Sequence, residues 1–211
     1  MVVAAAEEIT RTIGYLAARW RDRDRDTTIL RHVFPLFAEG RPVSPTRLAR
    51  VVGKDVAEVE HALERASTHR NQQGHVVELF GIMLEPTLHR VQVGKVALFS
   101  CCALDAHMVP LLIGQTATVE SVDPVCHRVV RVTISASGVQ TVEPDGAVGT
   151  LVVAEEAEMQ RDVRAAFCNH VCHFPNREIA AEFARADSRR RIVDMDDLHQ
   201  AARQLWAMVW R

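Results

Sequence analysis

Val96–Gly114, VALFSCCALDAHMVPLLIG, admits two readings, and the choice between them decides the fold. The run is long enough to suggest a membrane span, but Ser100, Asp105, His107 and Pro110 interrupt it, and its flanks lack the features of an inserted helix. It reads instead as a buried strand that turns into a helix near Cys102. Burying a carboxylate and thiols in apolar surroundings costs free energy unless they are paired or have chemical work to do. Cys102 and Asp105 are three residues apart, so a helix starting near Cys102 projects both from one face toward one small substrate, while Cys101 points elsewhere. Alone, the stretch also fits a junction with incidental cysteines, because free Cys behaves as a small hydrophobe.

Upstream, Ile9, Ile13, Leu16 and Trp20 recur at helical spacing, which predicts an amphipathic helix over Val3–Trp20. The alternating charges at Arg21–Asp26 read as a solvated linker or helix end. A second helix is expected from Thr27 to about Glu39, closed by Gly40. Ser44-Pro45 is a cap with proline at the first helical position, and that helix stops at Gly53. Asp55 with Glu58 resembles a capping box opening a helix to about Ala66. Two short helices and the hairpin-like VVELF and IMLEP segments together look like a winged helix-turn-helix.

A winged helix raises DNA binding, with the second helix in the major groove. The charges oppose it: Asp55–Ala66 carries four acids (Asp55, Glu58, Glu60, Glu64) and one Arg (Arg65), a net of −3 where phosphate demands cations. Arg47, Arg50 and Lys54 lie nearby without forming a stripe. The expectation is a packing module for the rest of the chain.

Downstream, Thr116–Val122, Val129–Ser135, Val139–Val142 and Thr150–Val153 read as antiparallel strands, separated by Asp123-Pro124, Gly138 and Glu143–Gly149. Cys126 falls in a turn and is expected to be a plain structural or exposed thiol. Glu155–His170 reads as one helix carrying Cys168, on the pattern Met159, Val163, Phe167. Asn176 caps a helix to about Ala186, Arg191–Val193 is a short strand, and Leu198, Ala202, Leu205 and Val209 mark a closing helix. The fold expected is α+β: a helical, winged-helix-like region over 1–90 packed on a second domain over 91–211 that carries Cys102, Asp105 and Cys168, an antiparallel sheet with flanking helices.

At 211 residues and 48% hydrophobic composition, the chain suits one soluble unit or two small ones. A net charge of −2 gives no general attraction to nucleic acid or anionic membrane, and neither is expected as a partner. No export signal is apparent, so a cytoplasmic location is expected. Five cysteines without a framework spacing suit thiol chemistry, metal or packing better than disulfides. No phosphate-cradling glycine loop or dinucleotide fingerprint occurs, so ATP, NAD and flavin are not expected.

Two segments read together carry more. C-A-L-D at Cys102–Asp105 with P-x-L-I-G at Pro110–Gly114, and D-V-R-x-x-F-C-x-H-V at Asp162–Val171, resemble the organomercurial (alkylmercury) lyase family; G-R-P-V-S at Gly40–Ser44 is a weaker match. The resemblance covers most of the chain from about Gly40. It implies Cys102 and Cys168 as mercury ligands and nucleophiles and Asp105 in proton transfer, with Asp105 also a possible ligand. The products would be a hydrocarbon and Hg(II), the latter passed to a thiol carrier or mercuric reductase. No organic cofactor is needed, mercury being substrate and product.

The residue types suit that chemistry. Mercury is very soft and thiolates are the softest side chains available, so two of them on one mercury push electron density onto its carbon. That carbon then needs a proton. A carboxyl in an apolar site has its charged form disfavoured, so Asp105 can hold a proton near neutral pH.

The sequence departs from the commonest pattern at Cys101, where familiar members carry an aromatic residue, and at Cys172-His173, both of which add soft donors. They leave open a zinc or copper site built from Cys102, Cys168, Cys172 and a histidine, structural or regulatory. C-x3-C-H at Cys168–His173 is not a usual zinc-finger half. His170 and His173 are expected to be structural. A metal-sensing or DNA-binding regulator remains the competing function.

Overall fold

The computed structural model describes residues 2–21, 26–66 and 68–210. Helix α1 (Val2–Arg21) buries Ile13, Leu16 and Trp20 on the expected stripe. Most of the charge run after it lies outside the described residues, but Asp26 caps the next helix by accepting from the Thr28 and Ile29 amides. The single helix expected from Thr27 is two short ones, α2 (Thr27–Leu30) and α3 (Val33–Phe37). Pro35 explains the break, since it has no N–H for the Arg31 carbonyl and its ring crowds that carbonyl.

Helix α4 (Pro45–Val52) starts as the sequence indicates, with Ser44 accepting from the Arg47 amide, and ends at Gly53 in the left-handed conformation. Helix α5 (Val56–Arg65) comes next, but Asp55 makes no side-chain cap, and Glu58 pairs with Lys54 instead. Its acids are further engaged by Arg70, which pairs with Glu60.

The strands then begin: β1 (His69–Arg70), β2 (Val76–Leu79), β3 (Ile82–Met83), β4 (His89–Val93) and β5 (Val96–Ser100). The wing hairpin β2–β3 does not stand apart, because β3 pairs with β5, Ile82 opposite Ser100. After helix α6 (Ala103–Ile113) come β6 (Ala117–Val122), β7 (Val129–Ser135) and β8 (Gly138–Glu143). Together they make an antiparallel sheet in the order β1-β2-β3-β5-β4-β6-β7-β8. The boundary expected between residues 90 and 91 therefore falls inside β4, and the sheet runs unbroken across it.

Strand β9 (Val148–Val152) is buried at every position, not alternately, and belongs to a second sheet, between β10 (His173–Phe174) and β11 (Arg190–Val193). The expected Glu155–His170 helix is three pieces: α7 (Glu156–Arg161), α8 (Val163–Ala166) and a 3-10 turn at Cys168–His170. Asp162 breaks it. Its backbone is extended and its carboxylate accepts from the Ala165 amide, so a helix restarts there. Helices α9 (Arg177–Arg185), capped by Asn176, and α10 (Met195–Trp210) complete the chain.

Two large apolar clusters organise these elements. One lies between the N-terminal helices and the long sheet and holds Phe34, Phe37, Leu48, Leu63, Leu79 and Leu98. The other joins α1, α6, α10 and β9 through Ile13, Leu16, Leu104, Leu151, Leu198 and Leu205, and it includes Cys102 and Phe167. Helix α6 is buried over Ala103–Pro110, which explains why its sequence is apolar all round and mimics a span. No helix of the described residues is long and apolar enough to cross a membrane.

Candidate active site

Strand β5 ends at Ser100 and α6 begins at Ala103, so Cys101 and Cys102 form the bend between them. Cys102 is the extended N-cap of α6 and Asp105 its third helical residue, the spacing of a capping box. The Cys102 Sγ donates to Asp105 Oδ2 at 3.1 Å. The C-A-L-D motif is thus a helix start that places a thiol against a carboxyl.

The second motif is brought in by backbone. The Ala103 amide, first in α6, donates to the Val171 carbonyl at 3.0 Å, and the Val171 amide donates to the Cys168 carbonyl. Thr150 pins the same segment to β9, donating from Oγ1 to the His170 carbonyl at 2.7 Å and accepting from the Cys172 amide at 3.1 Å. Cys168 is thereby held opposite the Cys102 bend, with its sulfur within 4.8 Å of an Asp105 oxygen. Cys102 and Asp105 thus meet Cys168, which lies more than sixty positions further along the sequence.

Cys101 meets them too, contrary to the expectation that it points away. The ligand atoms of Cys101, Asp105 and Cys168 all lie within 4.8 Å of one another. Strand alternation would send Cys101 away from Cys102, but the chain has left the strand by residue 101, and the Cys101 amide donates to the Gly81 carbonyl at 2.7 Å. Cys101 and Cys168 are partly exposed and Cys102 is fully buried. A cavity of about 160 Å³ is lined by Cys101, Asp105 and Cys168 and walled by Leu16, Trp20, Phe80 and Phe167. Trp20 stacks on Phe80 at 4.9 Å between centroids, joining α1 to the β2–β3 turn.

Gly81, in that turn, is required twice over. Its φ is +75°, and a Cβ there would collide with the Asp105 carboxyl. Arg164 and Glu78 also line the cavity, 3.7 Å apart. Sequence reasoning missed both, although Arg164 is the R of the D-V-R motif.

Electrostatics favour a site at rest with its thiol protons on. Burial raises Asp105 to about 7, opposed by the hydrogen bond from Cys102. Burial likewise raises Cys102 to about 12, opposed by its hydrogen bond with Cys168. The Cys101 thiol is raised first by its hydrogen bond with Cys168 and then by burial. A soft metal that replaces the thiol proton removes this resistance to ionisation.

The Asp105 shift has a stability consequence. Between its ordinary value of 3.8 and about 7 the folded protein keeps a proton that the unfolded chain has lost, so stability falls as pH rises through this window. Asp105→Asn, which cannot ionise, should therefore gain on wild type as pH rises, reaching on the order of 2–4 kcal/mol near pH 8 and little near pH 4. Urea unfolding of both proteins at the two pH values checks this. A constant difference contradicts it.

The remaining candidates lie elsewhere. Cys172 is buried beside Val148, Phe174 and Ala180. His173 is fully buried and bonds Ser121 Oγ through Nδ1 and His107 Nε2 through Nε2. His170 bonds the Ala165 carbonyl and accepts from Arg190 Nε. The zinc or copper set of Cys102, Cys168, Cys172 and a histidine is thus not assembled; among the described residues the set of possible ligands is Cys101, Asp105 and Cys168. Cys126 is exposed in its turn, hydrogen-bonded to Asp123 at 3.0 Å.

Comparison with known proteins gives the family of the chain. Residues 82–207 match the alkylmercury lyase family, and residues 18–79 match the helix-turn-helix domain of alkylmercury lyase. The alkylmercury lyase of Staphylococcus epidermidis is 34% identical over 183 residues, 85% of this chain and 82% of that one. That of Pseudomonas putida is 33% identical over 159 residues, 75% of this chain and 73% of that one. The crystal structure of the mercury-bound form of MerB2 shares the fold, with a TM-score of 0.74 over 96% of this chain and 99% of that one at 17% identity. The chain belongs to the alkylmercury lyase family, enzymes that cleave carbon–mercury bonds.

Proposed function

We propose that Cys102, Asp105 and Cys168 carry out the protonolysis of organomercurials in this chain, with Cys102 and Cys168 as mercury ligands and Asp105 as the proton carrier. The observation that carries this reading is the 3.1 Å contact between the Cys102 thiol and the Asp105 carboxyl, with the Cys168 sulfur within 4.8 Å of an Asp105 oxygen. One thiol displaces the counter-ligand of mercury, whose place the sulfur takes, and the thiol proton leaves with that ligand. The second thiol adds to mercury and gives its proton to Asp105. Asp105 passes the proton to carbon, the carbon–mercury bond breaks with its electron pair going to carbon, and hydrocarbon leaves Hg(II) on two sulfurs. A carboxyl titrating at about 7 both takes and gives that proton at neutral pH.

This chemistry needs no organic cofactor, and it is a cytoplasmic detoxification step in which Hg(II) passes to a thiol carrier or mercuric reductase. Neither nucleic acid nor membrane takes part. The helix-turn-helix region serves as a wall of the site: Ala66 and Glu78 line the cavity, and two acids of α5, Glu58 and Glu60, are paired with Lys54 and Arg70. The apolar lining suits the hydrocarbon part of the substrate.

A single turnover in D2O tests the reading. Methylmercury should give methane bearing one deuterium, with one mercury retained per chain. Methanol, or methane without solvent deuterium, would contradict it.

A further inference from the structure

Protonolysis by Cys102, Asp105 and Cys168 leaves mercury on a sulfur that solvent does not reach. Cys102 is fully buried and does not line the cavity, whereas Cys101 and Cys168 are partly exposed and do. A thiol acceptor coming from outside meets Cys101 and Cys168 first. Thiol exchange at Hg(II) requires the incoming sulfur to approach the metal, so a mercury shared by Cys102 and Cys168 is poorly placed for hand-off.

We propose that Cys101 is a relay thiol, which takes Hg(II) from Cys102 and presents it on the cavity-facing Cys101–Cys168 pair for removal by an external thiol. The inference rests on the proposed roles of Cys102 and Cys168, and it adds a third sulfur to them. The geometry supplies the path. The Cys101 and Cys168 sulfurs and an Asp105 oxygen lie within 4.8 Å of one another, and Asp105 is also 3.1 Å from the Cys102 sulfur. The step is a ligand exchange without change of oxidation state. The Cys101 S–H bond breaks and a Cys101 S–Hg bond forms, the Cys102 S–Hg bond breaks, and the proton passes from Cys101 to Cys102, with the Asp105 carboxyl in reach of both. Mercury is bound by three sulfurs midway and by two at each end. Arg164, on the cavity wall, provides a positive charge beside the Cys101 sulfur while it exchanges.

The test compares wild type with Cys101→Ser and Cys101→Ala, and uses phenylmercury as substrate and glutathione as acceptor. Each protein is first loaded with one equivalent of HgCl2, then mixed with excess glutathione, and mercury retained on the chain is followed after rapid gel filtration. Loss of the neighbouring thiol should slow mercury removal by about 10-fold or more, because a tethered thiol acts at high effective concentration. Steady-state turnover should fall with it. Hydrocarbon formation should change form, to a burst of one benzene per chain followed by a slow phase, since release has become limiting. The burst also reports that the variants are folded.

Unchanged or faster mercury removal in both variants overturns the relay, as does loss of the first turnover, which would make Cys101 a primary nucleophile. A wild-type chain that binds mercury yet yields no benzene sinks the protonolysis mechanism, while the HgCl2 removal rates still decide the relay.

Discussion

Serine in place of Cys102 or of Cys168 is expected to abolish hydrocarbon release from an organomercurial. The loss should be total within detection, because hydroxyl oxygen is a hard donor, and Cys101, the other thiol that remains, acts in Hg(II) removal and does not supply the sulfur missing from cleavage. Both residues sit in the assembled site, Cys102 on the N-terminus of α6 and Cys168 on its 3-10 turn. Cys126→Ser is the matched control. Its thiol is exposed and bound to Asp123, away from the cavity lining, and turnover should stay within a few-fold of wild type. Headspace analysis of benzene from phenylmercury measures all three, and near-normal release by either site variant would remove that residue from the mechanism.

Asp105→Asn should separate capture from cleavage. Asparagine keeps the size of the side chain, fits beside Gly81, and can still accept from the Cys102 thiol, but it has no acidic proton to give. The variant should retain one equivalent of phenylmercury through gel filtration while losing about 10²–10⁴-fold in turnover, the usual worth of a positioned acid or base. Protons released by the thiols can reach carbon through water, which sets the lower end of that range. Wild-type benzene release would take Asp105 off the proton path. Failure to retain phenylmercury would make it a ligand or a structural residue instead.

Much of this architecture is legible in the chain because local rules decide it. Ser44-Pro45, Gly53 and Asn176 mark helix ends with backbone chemistry that needs no tertiary information, and each appears where expected. Cys102 and Asp105 are adjacent for the same reason, being the first and fourth positions of one helix start. What local pattern cannot convey is breakage and long-range pairing. Pro35 and Asp162 each interrupt an apolar periodicity that continues on both sides, so periodicity alone reads through them. The place of Cys168 depends on amides and carbonyls, Ala103 to Val171 and Thr150 to His170, which have no side-chain signature. Alternation carried one residue beyond the strand misdirects Cys101. The cradle for Asp105 is a glycine in a hairpin turn, whose need appears only once the turn is seen against α6.

The position of the bound metal decides whether these thiols do the chemistry. Crystals of the wild-type chain given one equivalent of methylmercury, with methane followed in the same preparation, locate mercury by its anomalous scattering. One mercury per chain is expected in the cavity beside Asp105, bonded to the sulfur of Cys168 and to one or both of Cys101 and Cys102, with methane released in equal amount. Mercury found on Cys126 or Cys172 with the cavity empty, while methane is released, would contradict the assignment.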